Sequence, residues 1–442
     1  MKKLALSDRF LHFHSWVLMG YVLMGRGFTY VGVPPLFIGE ISLLFGLLTC
    51  LFNRASQTFW TQAFPKLFQL LPTKLLITFQ VWCLICTIPH FPRYGMDTIR
   101  DAAIWYYGLF GLIVALLITA KPDRIFLLLN NYRRFALGFL FLGFIMFAIS
   151  QARISPLMPG GRAFIVEMKE ADTMAHLAGA VGFAIAMKLR PMATMVPLLL
   201  LNLALIIPRG NRSGTIAFLC AFGIVMLFRL RSQRIWQIIT IIAVALTFIL
   251  LLYPDLVDPV IAKMSTVFSD SGAERYQGTK EFRIRWWSYI IDYTFGGDYF
   301  WMGKGFGVNL GVDDGFDPLG DGLVRSPHNG HICILARSGV PGFLLWVSLQ
   351  VSWFSGILAR TLKAYKIPGQ GAWRGLFITL LAHWTAFMAT TSFEVVIEGP
   401  SGGIWIWTLI GLGLAAMALY DEHPDLLTTP SREGIEPPDS PG

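Results

Sequence analysis

Twelve apolar runs of bilayer-spanning length, separated by gaps that hold most of the charge, constrain this chain more than any other feature. With a window of about 19 residues they fall at roughly 13–31, 35–52, 75–91, 102–120, 134–151, 173–189, 192–208, 213–230, 236–253, 331–359, 373–395 and 402–420. A water-soluble fold has no interior large enough for that much apolar surface. Composition agrees: 55% of the 442 residues are hydrophobic and only 14% charged, against about 25% charged in an ordinary soluble domain. The expected fold class is an all-α, multi-pass membrane protein. A soluble enzyme, a disordered chain and a disulfide scaffold are excluded.

The formal net charge of +9 would point to nucleic acid in a soluble protein. Here lysine and arginine crowd the short gaps, as they do in cytoplasmic loops, so no nucleic-acid partner is expected. With the N-terminus inside, nineteen of them fall in inner segments and eight in short outer loops. That bias predicts both termini in the cytoplasm. Lys2, Lys3 and Arg9 precede the first run and no small-residue cleavage site ends it, which reads as an uncleaved signal anchor. Gly20, Gly25 and Gly27 predict a frayed outer end for that run.

Four parts follow: spans one to nine over 1–253, a long outer loop over 254–330, spans ten to twelve over 331–420, and a disordered cytoplasmic tail over 421–442, rich in proline. A 77-residue loop is uncommon and usually functional. Of the five cysteines, Cys83 and Cys86 form a C-x-x-C inside an apolar run; helix packing explains them better than redox or zinc chemistry.

Three polar clusters share the outer side. The first, Pro208 to Gly214, sets Arg209 and Arg212 at the mouth of the eighth span, beside a helix N-terminus that favours anions; a snorkelling arginine fits equally well. In the second, Phe282, Trp286, Tyr289 and Tyr293 recur at helical spacing, with Arg283 and Arg285 projecting differently. This predicts a helix on the membrane surface with its aromatics, and those at Trp287, Tyr299 and Trp301, at the interface. Sugar stacking is the alternative for them. The third runs from Ser326 through His328, Asn329 and His331 to Arg337, Gly339 and Gly342. A histidine there serves as a helix cap or as a general base. A metal at His328 and His331 is disfavoured, and Asp313, Asp314, Asp317 and Asp321 lack calcium-loop spacing. No Walker or Rossmann loop is present, so neither cofactor nor nucleotide is expected. Glu40, Glu394 and Glu398 lie near span ends, where loop arginines or water would meet them.

In this order the clusters resemble the O-antigen ligase and O-antigen polymerase superfamily of bacterial membrane glycosyltransferases. Its ligase signature is a His-Asn pair, nine residues, Gly, two residues, Gly; His328-Asn329, Gly339 and Gly342 match it in full. Arg212-Ser213-Gly214 looks like its arginine at the outer start of a central helix, although Asn211 stands where serine is common. Arg283, four residues before Trp287 and followed by Gly303 to Gly307, looks like its loop arginine. The resemblance implies a GT-C-type fold in the bacterial inner membrane with a periplasmic active site. It implies a glycan donor on undecaprenyl diphosphate and an acceptor that is either the lipid A-core of lipopolysaccharide (ligase) or another lipid-linked glycan (polymerase). It further implies that Arg212 and Arg283, with Arg285 and Arg209 in reserve, hold the diphosphate while His328 accepts the acceptor's proton. No metal is required. Protein O-glycosylation shares this architecture, and the full signature favours a ligase. From other classes, a lipid-glycan flippase would carry charge near the midplane, and a scaffold would tolerate loss of all three residues.

Overall fold

The computed structural model describes residues 5–52, 58–159, 161, 163–189, 192–206, 212–229 and 274–428. They form an all-α bundle whose strands, among the described residues, amount to one two-residue pair, Gly32–Val33 with Leu36–Phe37. The longer helices are α1 (Leu6–Met24), α2 (Ile38–Phe52), α3 (Leu71–Thr87), α4 (Met96–Tyr106), α5 (Gly108–Ala120), α6 (Arg124–Ala152), α7 (Glu170–Ala186), α8 (Met192–Ile206), α9 (Arg212–Arg229), α10 (Glu274–Phe295), α11 (Gly330–Lys366), α12 (Gly371–Thr391) and α13 (Pro400–Glu422).

By length and composition, four described helical stretches can each cross a bilayer: Leu71–Tyr94, Arg124–Ala152, Gly330–Lys366 and Pro400–Glu422. Helices α4 and α5, bent by 42°, add a fifth if they count as one span. Helix α2 and Ser213–Arg229 are apolar but shorter. The expected span 236–253, the start of the long loop and the tail from 429 onward lie outside the described residues. Helix α1 stops at Gly25, whose backbone has φ 63°, and a 3-10 turn follows, so the first run ends earlier than its hydropathy implies.

The tightest packing joins α9 with α12, α5 with α13, α7 with α12 and α11 with α3. Small residues make it possible, as in membrane bundles generally: a Cβ on Gly411 of α13 would lie 2.3 Å from the Gly111 carbonyl oxygen of α5. All five cysteines are free thiols, and Cys83 and Cys86 are buried in the core. Buried polar side chains inside the bundle find one another. His14 lies 3.0 Å from the Ser42 hydroxyl and 2.9 Å from that of Thr408.

Helix α10 corrects one expectation. Its aromatic stripe divides: Tyr289 stays exposed, whereas Trp286 and Phe282 turn into the protein. Trp286 is fully buried and stacks on Phe316 at 5.3 Å, with Phe282 against both. Together with Ile290, Leu310, Leu335 and Val340 they form a second core between the loop and the first turns of α11. The helical period was legible, but which medium it faced depended on residues far along the chain. Trp301 does stay exposed.

Candidate active site

The signature histidine sits at a joint. His328 has φ 51°, a left-handed conformation that costs a non-glycine residue on the order of 1–3 kcal/mol and clusters at functional sites. Next to it, Asn329 caps α11: its Oδ1 accepts from the backbone N–H groups of His331 (3.0 Å) and Ile332 (3.1 Å). An asparagine cap satisfies two donors that the helix cannot, so the His-Asn order puts the imidazole just outside the helix. Its Nδ1 is buried and has no protein partner among the described residues. His331 differs. Its Nδ1 accepts from Trp346 (3.0 Å), and Nε2 points at the Met388 carbonyl (3.4 Å). Both nitrogens are occupied, so His331 is a packing residue and not a second ligand beside His328.

The arginine–tryptophan spacing has a geometric reason. Trp287 donates its indole N–H to the Pro327 carbonyl oxygen at 2.7 Å, tying α10 to the residue before His328. Residues four apart share a helix face, so Arg283 comes to the same side. Its Nη1 donates to the Phe393 carbonyl at 3.3 Å, and its charge acts on both His328 and Glu394. Arg285 lies elsewhere on the helix and is exposed, with no hydrogen bond or ion pair among the described residues. Burial, then Arg283, then Lys169, push the His328 imidazole below its ordinary pKa. It is therefore neutral at pH 7 and free to take a proton.

Of the first cluster, Arg209 lies outside the described residues, and Arg212 is known as the first residue of α9. That helix start lies against the start of α7, because a Cβ on Gly214 would come within 3.1 Å of Ala171 Cα. Ala171 lines a cavity of about 390 Å³ that also receives Lys169 and Glu394. Arg212, Arg283 and His328 thus belong to elements that meet at one end of the bundle.

The signature glycines are contact points. Gly339 has φ 68° inside α11, and a Cβ there would lie 2.5 Å from the Phe300 and Trp301 carbonyl oxygens. A Cβ on Gly342 would lie 2.2 Å from Ser338 Oγ. Only bare backbone at Gly339 lets the loop seat on the helix. From that seat the glycine-rich stretch runs to a buried ion cluster. Asp101 accepts from Arg325 (3.1 Å), the Gly307 N–H (3.2 Å) and the buried Arg337, whose Nη1 is 3.0 Å away. Arg337 also donates to the Val308 carbonyl at 3.2 Å. Lys304 pairs with Asp313 and Asp314, and Trp286 donates to Asp314 at 2.6 Å.

Sequence reading missed Asp101, Lys169 and Asp172 as site neighbours. Lys169 had looked like one more outer-loop cation, and nothing in spacing links residue 101 to 337. Glu40 does not meet a loop arginine; it accepts from the Tyr107 hydroxyl at 2.7 Å and that of Tyr106 at 3.3 Å. Glu394 and Glu398 feel Arg283 and Arg337, respectively.

No curated protein matches the chain. Residues 197–347, roughly a third of its length, match the family model described as O-Antigen ligase. That stretch runs from the approach to α9 through α10 to the middle of α11, and so contains both arginine elements, His328 and the signature glycines. That match shows residues 197–347 to be an O-antigen ligase-like region within a membrane protein.

Proposed function

We propose that the chain is an inverting membrane glycosyltransferase of the ligase type. It moves a glycan from undecaprenyl diphosphate to a hydroxyl of lipid A-core at the periplasmic face of the inner membrane. Twelve spans of GT-C type with both termini cytoplasmic belong to the same proposal. The observation that carries it is Arg283 acting on a left-handed His328, whose buried Nδ1 has no partner among the described residues, at the end of the bundle where α9 begins.

The acceptor oxygen attacks the anomeric carbon from the face opposite the diphosphate. The bond to the phosphate oxygen breaks and its electron pair leaves with undecaprenyl diphosphate. His328 takes the hydroxyl proton, a contribution typically worth about 10²- to 10⁴-fold. Negative charge grows on the leaving diphosphate, where the planar forks of Arg283 and Arg212 match phosphate oxygens and keep their charge. Such fixed charge stabilises the transition state more than the ground state, and no metal is needed in this scheme. Burial and two cations make His328 a reluctant base while the site is empty. An arriving diphosphate offsets those cations and favours the imidazolium, so deprotonation waits for the donor.

The test is the lipopolysaccharide profile of a deletion strain. Bare core with lipid-linked polymer accumulating is the expected result. A single repeat unit on the core would mean polymerase, and an unchanged profile would remove the reading.

A further inference from the structure

The cavity beside Lys169 and Glu394 also receives Arg100 and Arg325, and its carboxylates outnumber its cations. Asp101, on its wall, is saturated by Arg325, Arg337 and a backbone N–H. Asp172, Glu394 and Glu398 are not. None of the three has an ion-pair partner within 4.0 Å among the described residues; Ser326 and Cys333 hydrogen-bond Glu398, but its buried Oε1 has no hydrogen-bond partner among them. The Ser401 hydroxyl at the start of α13 bonds Asp172 and leaves capacity for more. Carboxylates enclosed in protein need hydrogen-bond donors to offset lost hydration. The protein supplies too few here, and a cavity opens where more would go.

Three ligand classes can be weighed against these carboxylates. A metal ion is poorly served, because no cluster of three metal-ligating side chains exists among the described residues. Diphosphate accepts without donating, and these carboxylates repel it. An uncharged sugar ring donates from every hydroxyl, and about 390 Å³ falls within the usual range of small-molecule sites, about 300–1,000 Å³.

We propose that this cavity is a saccharide subsite, in which Asp172, Glu394 and Glu398 accept hydrogen bonds from the hydroxyls of an uncharged sugar while the diphosphate stays at Arg283, outside the cavity's lining. The subsite excludes uronates and phosphorylated sugars by charge. It rests on the glycosyltransferase reading only for the sugars that reach it; binding itself can be measured without turnover.

The experiment is saturation-transfer NMR on the purified full-length protein at pH 7.5. The probes are methyl glycosides of the common hexoses and N-acetylhexosamines, with glucuronate and glucose 6-phosphate as charged counterparts. At least one methyl glycoside should show saturation and the charged sugars none. Asp172→Asn and Glu398→Gln should each cut the signal at least fivefold, and Arg283→Ala should leave it. Ser401→Ala, expected to cut it about twofold, serves if either carboxylate variant fails to fold. Adding undecaprenyl diphosphate-linked N-acetylglucosamine identifies the sugar's source. Displacement that bare undecaprenyl diphosphate does not cause means the donor's sugar; a retained signal means the acceptor's. Silence from every glycoside, equal binding of charged sugars, or a signal indifferent to Asp172→Asn, Glu398→Gln and Ser401→Ala overturns the subsite. A protein that transfers glycan but binds no glycoside refutes the subsite alone, and one that binds without transferring refutes the glycosyltransferase reading alone.

Discussion

Two arginines near the signature make opposite use of the same side chain. Arg337 is buried and tied down: its Nε meets the Cys333 sulfur, and its Nη1 meets Asp101 and two loop carbonyls. Arg283 is half-buried and holds one long hydrogen bond, to the Phe393 carbonyl. The surroundings differ in the same way. Around Arg337 the loop is locked to α4 and α11, while around Arg283 lie a strained histidine and carboxylates without partners. A buried guanidinium held by an aspartate and backbone carbonyls fixes a fold, and a half-buried one with a single long hydrogen bond has donors left for a phosphate. Burial alone would have ranked these two the wrong way round for chemistry.

The contrast can be broken most decisively at His328. Alanine there should lower glycan transfer by about 10²- to 10⁴-fold with melting temperature unchanged or slightly raised, since alanine and histidine meet the same backbone strain. Activity within threefold of the parent would remove His328 from the reaction. Arg337→Ala should do the reverse. Removing one partner of a buried pair costs about 3–5 kcal/mol, so folded yield and detergent half-life should collapse before any kinetic constant is measured; a stable but inactive variant would contradict the division.

Trp287→Phe sharpens the comparison, because it cuts the tie to Pro327 and leaves Arg283 in place. The expected loss is about tenfold in transfer with little change in stability, in line with one hydrogen bond of roughly 1 kcal/mol acting on alignment. An unchanged rate would mean that the tie does not position Arg283.

Asp172 tests whether the cavity stores cost. Burial first, then Glu394 and Glu170, lift its carboxyl from the ordinary value of 3.8 to about 6, against Lys169 and a hydrogen bond from Ser401. Between those values the folded state holds a proton that the unfolded chain has lost. Stability therefore falls as pH rises through that window, and the penalty is complete above it. Asp172→Asn should raise the melting temperature at pH 7.5 and give no gain near pH 4; an equal gain at both would assign the effect to packing. The smallest effect is expected at Arg285, whose replacement by alanine should change transfer less than twofold by the same assay.

How much of this was legible follows from range. Helical periods lie within a few residues, so α10 and the runs along the bundle could be read from spacing. The choice of Arg283 over Arg285 came from one local interval, Arg283 to Trp287, and the fold supplies its reason in the Pro327 bond. The direction of the Trp286 stripe was misread because Phe316 and Leu335, which cover it, obey no interval. Asp101 was missed for the same cause: besides its neighbour Arg100, it pairs with Arg325 and Arg337, more than 200 residues away. Glu394 and Glu398 looked like ordinary helix-end charges, because a cavity is a property of several elements and of none singly.

The indole tie from Trp287 reaches a backbone oxygen, and that choice has an evolutionary cost of its own. Any residue at 327 offers the same carbonyl, so substitution there leaves the anchor intact. Insertion does not. One extra residue between Arg283 and Trp287 would swing the guanidinium by about 100° around its axis and carry it away from His328. The tie therefore depends on the number of residues between Arg283 and Trp287 and not on which residue stands at 327.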